Sequence, residues 1–205
     1  MPRTARTALA LCALLVTACG AADADEAARI AEALALAPGM TVADVGAGDG
    51  DWALELADAV GADGTVIATE VDEDLVADLR DLGLDTFRSN IVAVLGTDRD
   101  TGLEPGCCDA ILLRMVYHHF TDPAAMRSSL RAALKPGGRI AVIDIVPQEH
   151  WRELDGVPDR GGHGIPMREL IAEMTADGFQ VLVEHPDWRV DDEERYCVVF
   201  RTPAG

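Results

Sequence analysis

The sequence predicts an α/β fold: a doubly wound sheet of seven strands, mostly parallel with an antiparallel terminal strand, and helices on both faces. Three observations carry that expectation. Short apolar, β-branched runs alternate with amphipathic stretches along 27–201, as parallel strands buried on both faces require. Turns bearing glycine or proline separate them,. The last two apolar runs have no helix between them, so they pair as antiparallel neighbours.

Each element follows in order. Ile30, Ala31, Leu34 and Ala35 repeat at helical spacing within Ala27–Ala37, which Pro38-Gly39 ends,. Thr41–Val45 is a buried strand, and after a glycine turn Trp52–Val60 is a helix,. Thr65–Thr69 is the second strand, Asp72–Leu82 a helix with Leu75, Val76 and Leu79 on one face, and Ile91–Leu95 the third strand. Asp109–Arg114 is the fourth strand. The helix from Asp122 or Pro123 to Leu134 starts on a capping residue with proline in its first turn,. Pro136-Gly137-Gly138 turns the chain into the strand Arg139–Asp144. A glycine- and proline-rich loop spans Val146–Ile165, Pro166–Asp177 is helical, and Phe179–Glu184 and Arg195–Arg201 are the final strands.

Composition sets limits on size and partners. The 205 residues, 49% hydrophobic and only 4% aromatic, suit one domain with a core of alanine, valine, leucine and isoleucine,. Acidic residues outnumber basic ones 36 to 17, a net charge of −19. Such a surface repels phosphate backbones and anionic lipid, so no nucleic-acid partner is expected. The first residues differ from the rest. Arg3 and Arg6 precede an apolar run from Ala8 to Ala18, then Val16-Thr17-Ala18-Cys19 and an acidic stretch. That reads as a signal peptide over 1–18, with Cys19 similar to the lipidated cysteine of bacterial lipoproteins and a linker over 19–26. The expected home is the cell envelope, with membrane contact only through that lipid; the alternative is the cytoplasm. Cys107, Cys108 and Cys197 form no regular disulfide framework and are expected to pack,.

Ligands of such sheets sit beyond the carboxyl ends of the strands. Gly46, Gly48 and Gly50 line the turn after the first strand, Asp44 ends that strand, and Glu70 follows the second, 20 residues after Gly50. Glycines let backbone amides approach a ligand, and an acid at the second position accepts from ribose hydroxyls. A dinucleotide fingerprint spaces its glycines G-x-G-x-x-G, whereas this chain reads D-x-G-x-G-x-G. The segment Asp44-Val45-Gly46-Ala47-Gly48-Asp49-Gly50 resembles motif I of class I S-adenosylmethionine-dependent methyltransferases. The similarity continues through Gly64–Asp72, Cys108–Arg114 and Leu134-Lys135-Pro136-Gly137-Gly138-Arg139, in the family's order.

The resemblance implies a Rossmann-like domain over 27–205 with S-adenosyl-L-methionine as cofactor and an unidentified small-molecule acceptor. It implies that Glu70 binds the ribose, that Asp44, Gly46, Ala47, Gly48 and Gly50 surround the methionine portion with Arg114 nearby, and that Asp98 of Gly96-Thr97-Asp98 meets the adenine. Tyr117, His118 and His119 would face the methyl group, and a neutral histidine there can take a proton. His118, His119, Asp144 and His163 are possible metal donors, but no short ligand spacing such as HExxH accompanies them, so no metal is expected,. The long loop, with His150, Trp151 and His163, is a candidate substrate lid. Two other readings stand beside the methyltransferase: a non-catalytic, envelope-tethered nucleoside-binding protein, and a dehydrogenase, which the glycine spacing disfavours.

Overall fold

The structure, a computed structural model, describes residues 25–86, 88–149, 155–188 and 194–204. A helix over 25–34 (α1) leads into β1 (Thr41–Val45), α2 (Asp51–Val60), β2 (Thr65–Glu70), α3 (Glu73–Asp85) and β3 (Ile91–Leu95). The second half holds β4 (Cys108–Arg114), a 3-10 turn (Tyr117–His119), α4 (Pro123–Ala133), β5 (Leu134–Ile145), α5 (Met167–Ala176), β6 (Gln180–His185) and β7 (Arg195–Arg201). One seven-stranded sheet runs β3-β2-β1-β4-β5-β7-β6. The pairs among β1 to β5 are parallel, while β7 lies antiparallel between β5 and β6. The fold is the one the sequence predicts. The antiparallel strand, last in sequence, is covered by β6 and does not form the sheet's edge.

Period-2 alternation divides the core. Ala43, Val45, Ile111, Leu113, Ile140 and Val142 face one side, where α4 and α5 bring Met126, Leu130, Leu170 and Met174. Val42, Ala68, Ala110, Leu112, Ala141 and Ile143 face the other, against Ile30 and Leu34 of α1, Leu56 and Val60 of α2, and Leu79 of α3. Caps fix where helices begin. The Asp72 carboxylate accepts from the amides of Asp74 (2.8 Å) and Leu75 (3.3 Å), and Asp122 accepts from Ala125 (3.0 Å) just before Pro123,.

Two expectations need correction. Asp25 and Glu26, read as linker, belong to α1, and Glu26 is buried because its carboxylate holds Arg114 and the indole of Trp188. The Leu134–Gly138 segment is not a turn ahead of a strand. β5 already begins at Leu134, which pairs with Cys108, and the register slips before Ala110 meets Arg139. Gly137, at φ 78°, sits in that irregularity, and its neighbours are tied by Thr202, whose N–H reaches the Gly138 carbonyl and whose hydroxyl reaches that of Lys135,. The signal peptide, Cys19, His150 and Trp151 lie outside the described residues. Among the described residues no helix is long and apolar enough to cross a membrane.

Candidate active site

Above the carboxyl ends of β1 to β4 lies a cleft of about 430 Å³. The strand ends are laced together by backbone. The N–H groups of Gly46 and Ala47 both donate to the Thr69 carbonyl (2.9 and 3.1 Å), and Gly96 donates to that of Glu70 (2.8 Å). Gly46, Glu70 and Asp98 line the cleft, joined by Thr69, Thr97, Asp100 and Thr101. Its apolar part comes from Val45, Val71, Met115, Val116, Phe120 and Met126. Met115, just beyond β4, has φ 58°, a conformation that costs a non-glycine residue about 1–3 kcal/mol and tends to mark functional turns,.

The acids differ in environment. Glu70 accepts from the Gly48 N–H at 2.9 Å through one oxygen and from its neighbour Val71 at 3.0 Å through the other. The glycine turn and the acid of the second strand are thereby joined. Asp44 is buried, and its Oδ2 has no hydrogen-bond partner among the described residues. Burial, and secondarily the charge of Glu70, push its carboxyl up to about 7, against the opposing pull of Arg114,. A buried acceptor left unsatisfied costs about 1–3 kcal/mol, so Asp44 favours any ligand that brings a donor or a cation. The lining acids Glu70 and Asp98, with the orphaned Asp44 oxygen behind them, fit a nucleoside whose amino acid end is positively charged.

The glycines have distinct duties. Gly46, at φ 73°, could not carry a side chain without meeting Val116, whose Cγ2 would stand 2.5 Å from an added Cβ. Around Gly48 that space is open. Gly50 precedes α2 and packs on Leu79 and Leu82 of α3. Its role is close helix packing rather than ligand contact, and it is not among the cleft-lining residues; neither are Ala47, Gly48 and the buried Asp44, which precedes the lining residues Val45 and Gly46 in sequence.

The four residues Arg114 and Tyr117–His119 separate in the structure. Arg114 was expected at the cofactor. Its guanidinium instead pairs with the buried Glu26 (2.9 Å) and lies over the Trp52 ring, 4.3 Å from the centroid. Tyr117 was expected at the methyl group. It is buried on the α4/α5 side, where its hydroxyl donates to Glu173 (2.6 Å) and accepts from Arg127 (3.1 Å); burial pushes its pKa up. Of the three expected catalytic side chains, only His119 lines the cleft. Burial, and next its imidazole neighbours His118 and His163, push His119 down to about 4, so it is neutral at pH 7. His118 turns away, its Nδ1 2.6 Å from Asp144 and its Nε2 3.0 Å from the Nε2 of His163. The 3-10 turn makes this separation, and no helical or strand period in the sequence signals it.

Known proteins share the fold. A solved S-adenosylmethionine-dependent methyltransferase from Aquifex aeolicus superposes with a TM-score of 0.69 at 21% identity, covering 85% of this chain and 88% of its own. The [4+2]-cyclase SpnF superposes at 0.71 and 18% identity, covering 89% and 82%. At those identities the likeness is one of fold. A ubiquinone/menaquinone biosynthesis C-methyltransferase from Shewanella frigidimarina is 25% identical over 164 residues, 76% of this chain and 64% of its own length. This chain therefore spans less than two thirds of that relative. The sequence model of a family described as a methyltransferase domain matches residues 21–189, a span that includes every side chain of the cleft, and the chain belongs to that family.

Proposed function

We propose that the chain binds S-adenosyl-L-methionine in this cleft and catalyses methyl transfer to a small, largely apolar acceptor. The observation that carries the reading is Glu70, which lines the cleft at the end of β2 and accepts from the Gly48 N–H, beside the buried, unsatisfied Asp44 oxygen near the end of the adjacent β1. When bound, the cofactor supplies a sulfonium methyl that is already a strong electrophile. Catalysis then rests on alignment and exclusion of water. Glu70 accepts from the ribose hydroxyls, Asp98 from the adenine amino group, and Asp44 faces the methionine end. Met115, Val116, Phe120 and Met126 hold the acceptor and keep water out. Neutral His119 takes the proton that the acceptor releases. The name of the Shewanella relative, a C-methyltransferase of quinone biosynthesis, supports an electron-rich ring as acceptor.

Methyl-labelled S-adenosylmethionine and a panel of hydroquinones and phenols test the reading. Label in an acceptor together with S-adenosylhomocysteine is the expected result, and His119→Ala lowers kcat by about 10²–10⁴. Tight nucleoside binding with no transfer to any acceptor favours the non-catalytic binding protein instead. We also propose export with lipidation at Cys19, supported by the basic start and apolar run before Val16-Thr17-Ala18-Cys19. Mass spectrometry of the mature N-terminus checks it; an intact Met1 overturns it.

A further inference from the structure

We propose that His118, His119 and His163 form a binding site for a divalent first-row transition metal, zinc(II) above all, at the edge of the cleft. Each of the three offers one ring nitrogen, and those atoms lie within 4.8 Å of one another. Two come from the 3-10 turn after β4. The third comes from the loop after β5, where His163 is held by backbone hydrogen bonds with Gln148 (2.9 and 3.4 Å). Residues 45 positions apart thus meet because β4 and β5 are neighbouring strands whose carboxyl ends open on the same side.

Asp144 sets the chemistry. Its carboxyl group accepts from the backbone N–H groups of Ile145 (2.8 Å) and His118 (3.2 Å). It lies 2.6 Å from His118 Nδ1. With that oxygen accepting from Nδ1–H, the lone pair of His118 is on Nε2, the atom that faces His163. This carboxylate–histidine pairing is the support that metal-ligating imidazoles ordinarily have. The nitrogens of a tetrahedral zinc site stand about 3.4 Å apart for metal–nitrogen distances of about 2.0–2.1 Å. The 3.0 Å separation of His118 and His163 opens by a few tenths of an ångström to admit an ion. His119 offers its ring nitrogen within 4.8 Å of those two. Three imidazoles suit zinc, copper, nickel or cobalt and disfavour magnesium and calcium, which prefer oxygen ligands.

Three protein ligands leave a coordination position for an acceptor oxygen, and His119 borders the cleft. With the ion in place His119 is a ligand in place of the base proposed for the metal-free site, and the metal would lower the pKa of a coordinated acceptor hydroxyl so that its proton leaves to water. None of the three imidazoles belongs to the Asp44, Glu70 and Asp98 set, so metal uptake and nucleoside binding stand or fall separately.

The test is a titration of the untagged full chain, first stripped with chelator, with cobalt(II) alone. The expected result is one equivalent bound, with the visible ligand-field bands of a tetrahedral site that zinc(II) then displaces. His118→Ala and His163→Ala abolish the bands while S-adenosylhomocysteine binding persists in His163→Ala. Asp144→Asn weakens the metal by about 10–100-fold. His185→Ala, at the end of β6, binds as wild type does. Absence of cobalt uptake by the wild-type chain, or uptake that survives both His118→Ala and His163→Ala, overturns the proposal.

Discussion

At the scale of single residues, the proposed role of Asp44 ties cofactor binding to pH. Its carboxyl titrates at about 7 in the folded chain and ordinarily at 3.8. A cationic ligand group beside it requires the ionised form, so apparent affinity for S-adenosylmethionine rises with pH, by about tenfold between pH 6 and pH 8. Asp44→Asn removes that dependence. The same shift acts on stability with the opposite sense. Between about pH 4 and pH 7 the native state keeps a proton that the unfolded state has lost, so stability falls as pH rises through that window. In calorimetric melting, Asp44→Asn is expected to match wild type near pH 4 and to melt several degrees higher at pH 8, at roughly 2–4 °C per kcal/mol. A lower melting temperature at pH 8 contradicts the account. Gly46 is constrained differently. Gly46→Ala combines φ 73° with a contact to Val116 inside van der Waals distance. A loss of about 1–3 kcal/mol is expected in urea unfolding, together with weaker nucleoside binding. A variant as stable as wild type removes the packing argument.

At the scale of elements, a charged network joins the two helices under the turn that carries the histidines. Glu173 of α5 pairs with Arg127 of α4 (2.7 Å) and with Arg160 (2.8 Å), accepts from Tyr117, and stands beside the contact of Arg127 with Asp177. Arg160 is almost wholly enclosed and its Nη1 already lacks a partner among the described residues. Glu173→Ala takes one of two carboxylate partners from each of two guanidinium groups, leaving Arg127 with Asp177 and Arg160 with Glu169. Because Glu173 is partly exposed, about 1–3 kcal/mol is expected rather than the full cost of a broken buried pair, read as a lower melting temperature,. An unchanged melting temperature means the network is not structural. The elements themselves were largely legible from the chain: β1, β3 and β7 have the predicted bounds, and the helices differ by a few residues at their ends. The Leu134–Gly138 segment was misread because glycine and proline mark a turn and an irregular strand alike. Only pairing across to Cys108 and Thr202 distinguishes them.

At the scale of the whole molecule, the sheet order puts β1 and β4 side by side, flanked by β2 and β5, so that four strand ends meet at one rim. Half of the site was legible there. Asp44, Glu70 and the glycine spacing are local features of one strand-turn-helix unit and the strand after it, which a linear reading captures. The remainder depends on contacts distant in sequence. Glu26 binds Arg114 and Trp188 across most of the chain, and His163 meets His118 only because β4 pairs with β5. Tyr117 and His119 lie two positions apart yet face different compartments, a consequence of the turn between them. The central claim is that Glu70 and its neighbours bind a sulfur nucleoside. Isothermal titration of the chain with S-adenosylhomocysteine, alongside Glu70→Ala, tests it most directly. Saturable one-site binding that weakens by about 10–100-fold in Glu70→Ala is the expected result, the loss of a charge-assisted hydrogen bond to ribose. No binding to the wild-type chain, or equal binding by the variant, contradicts it.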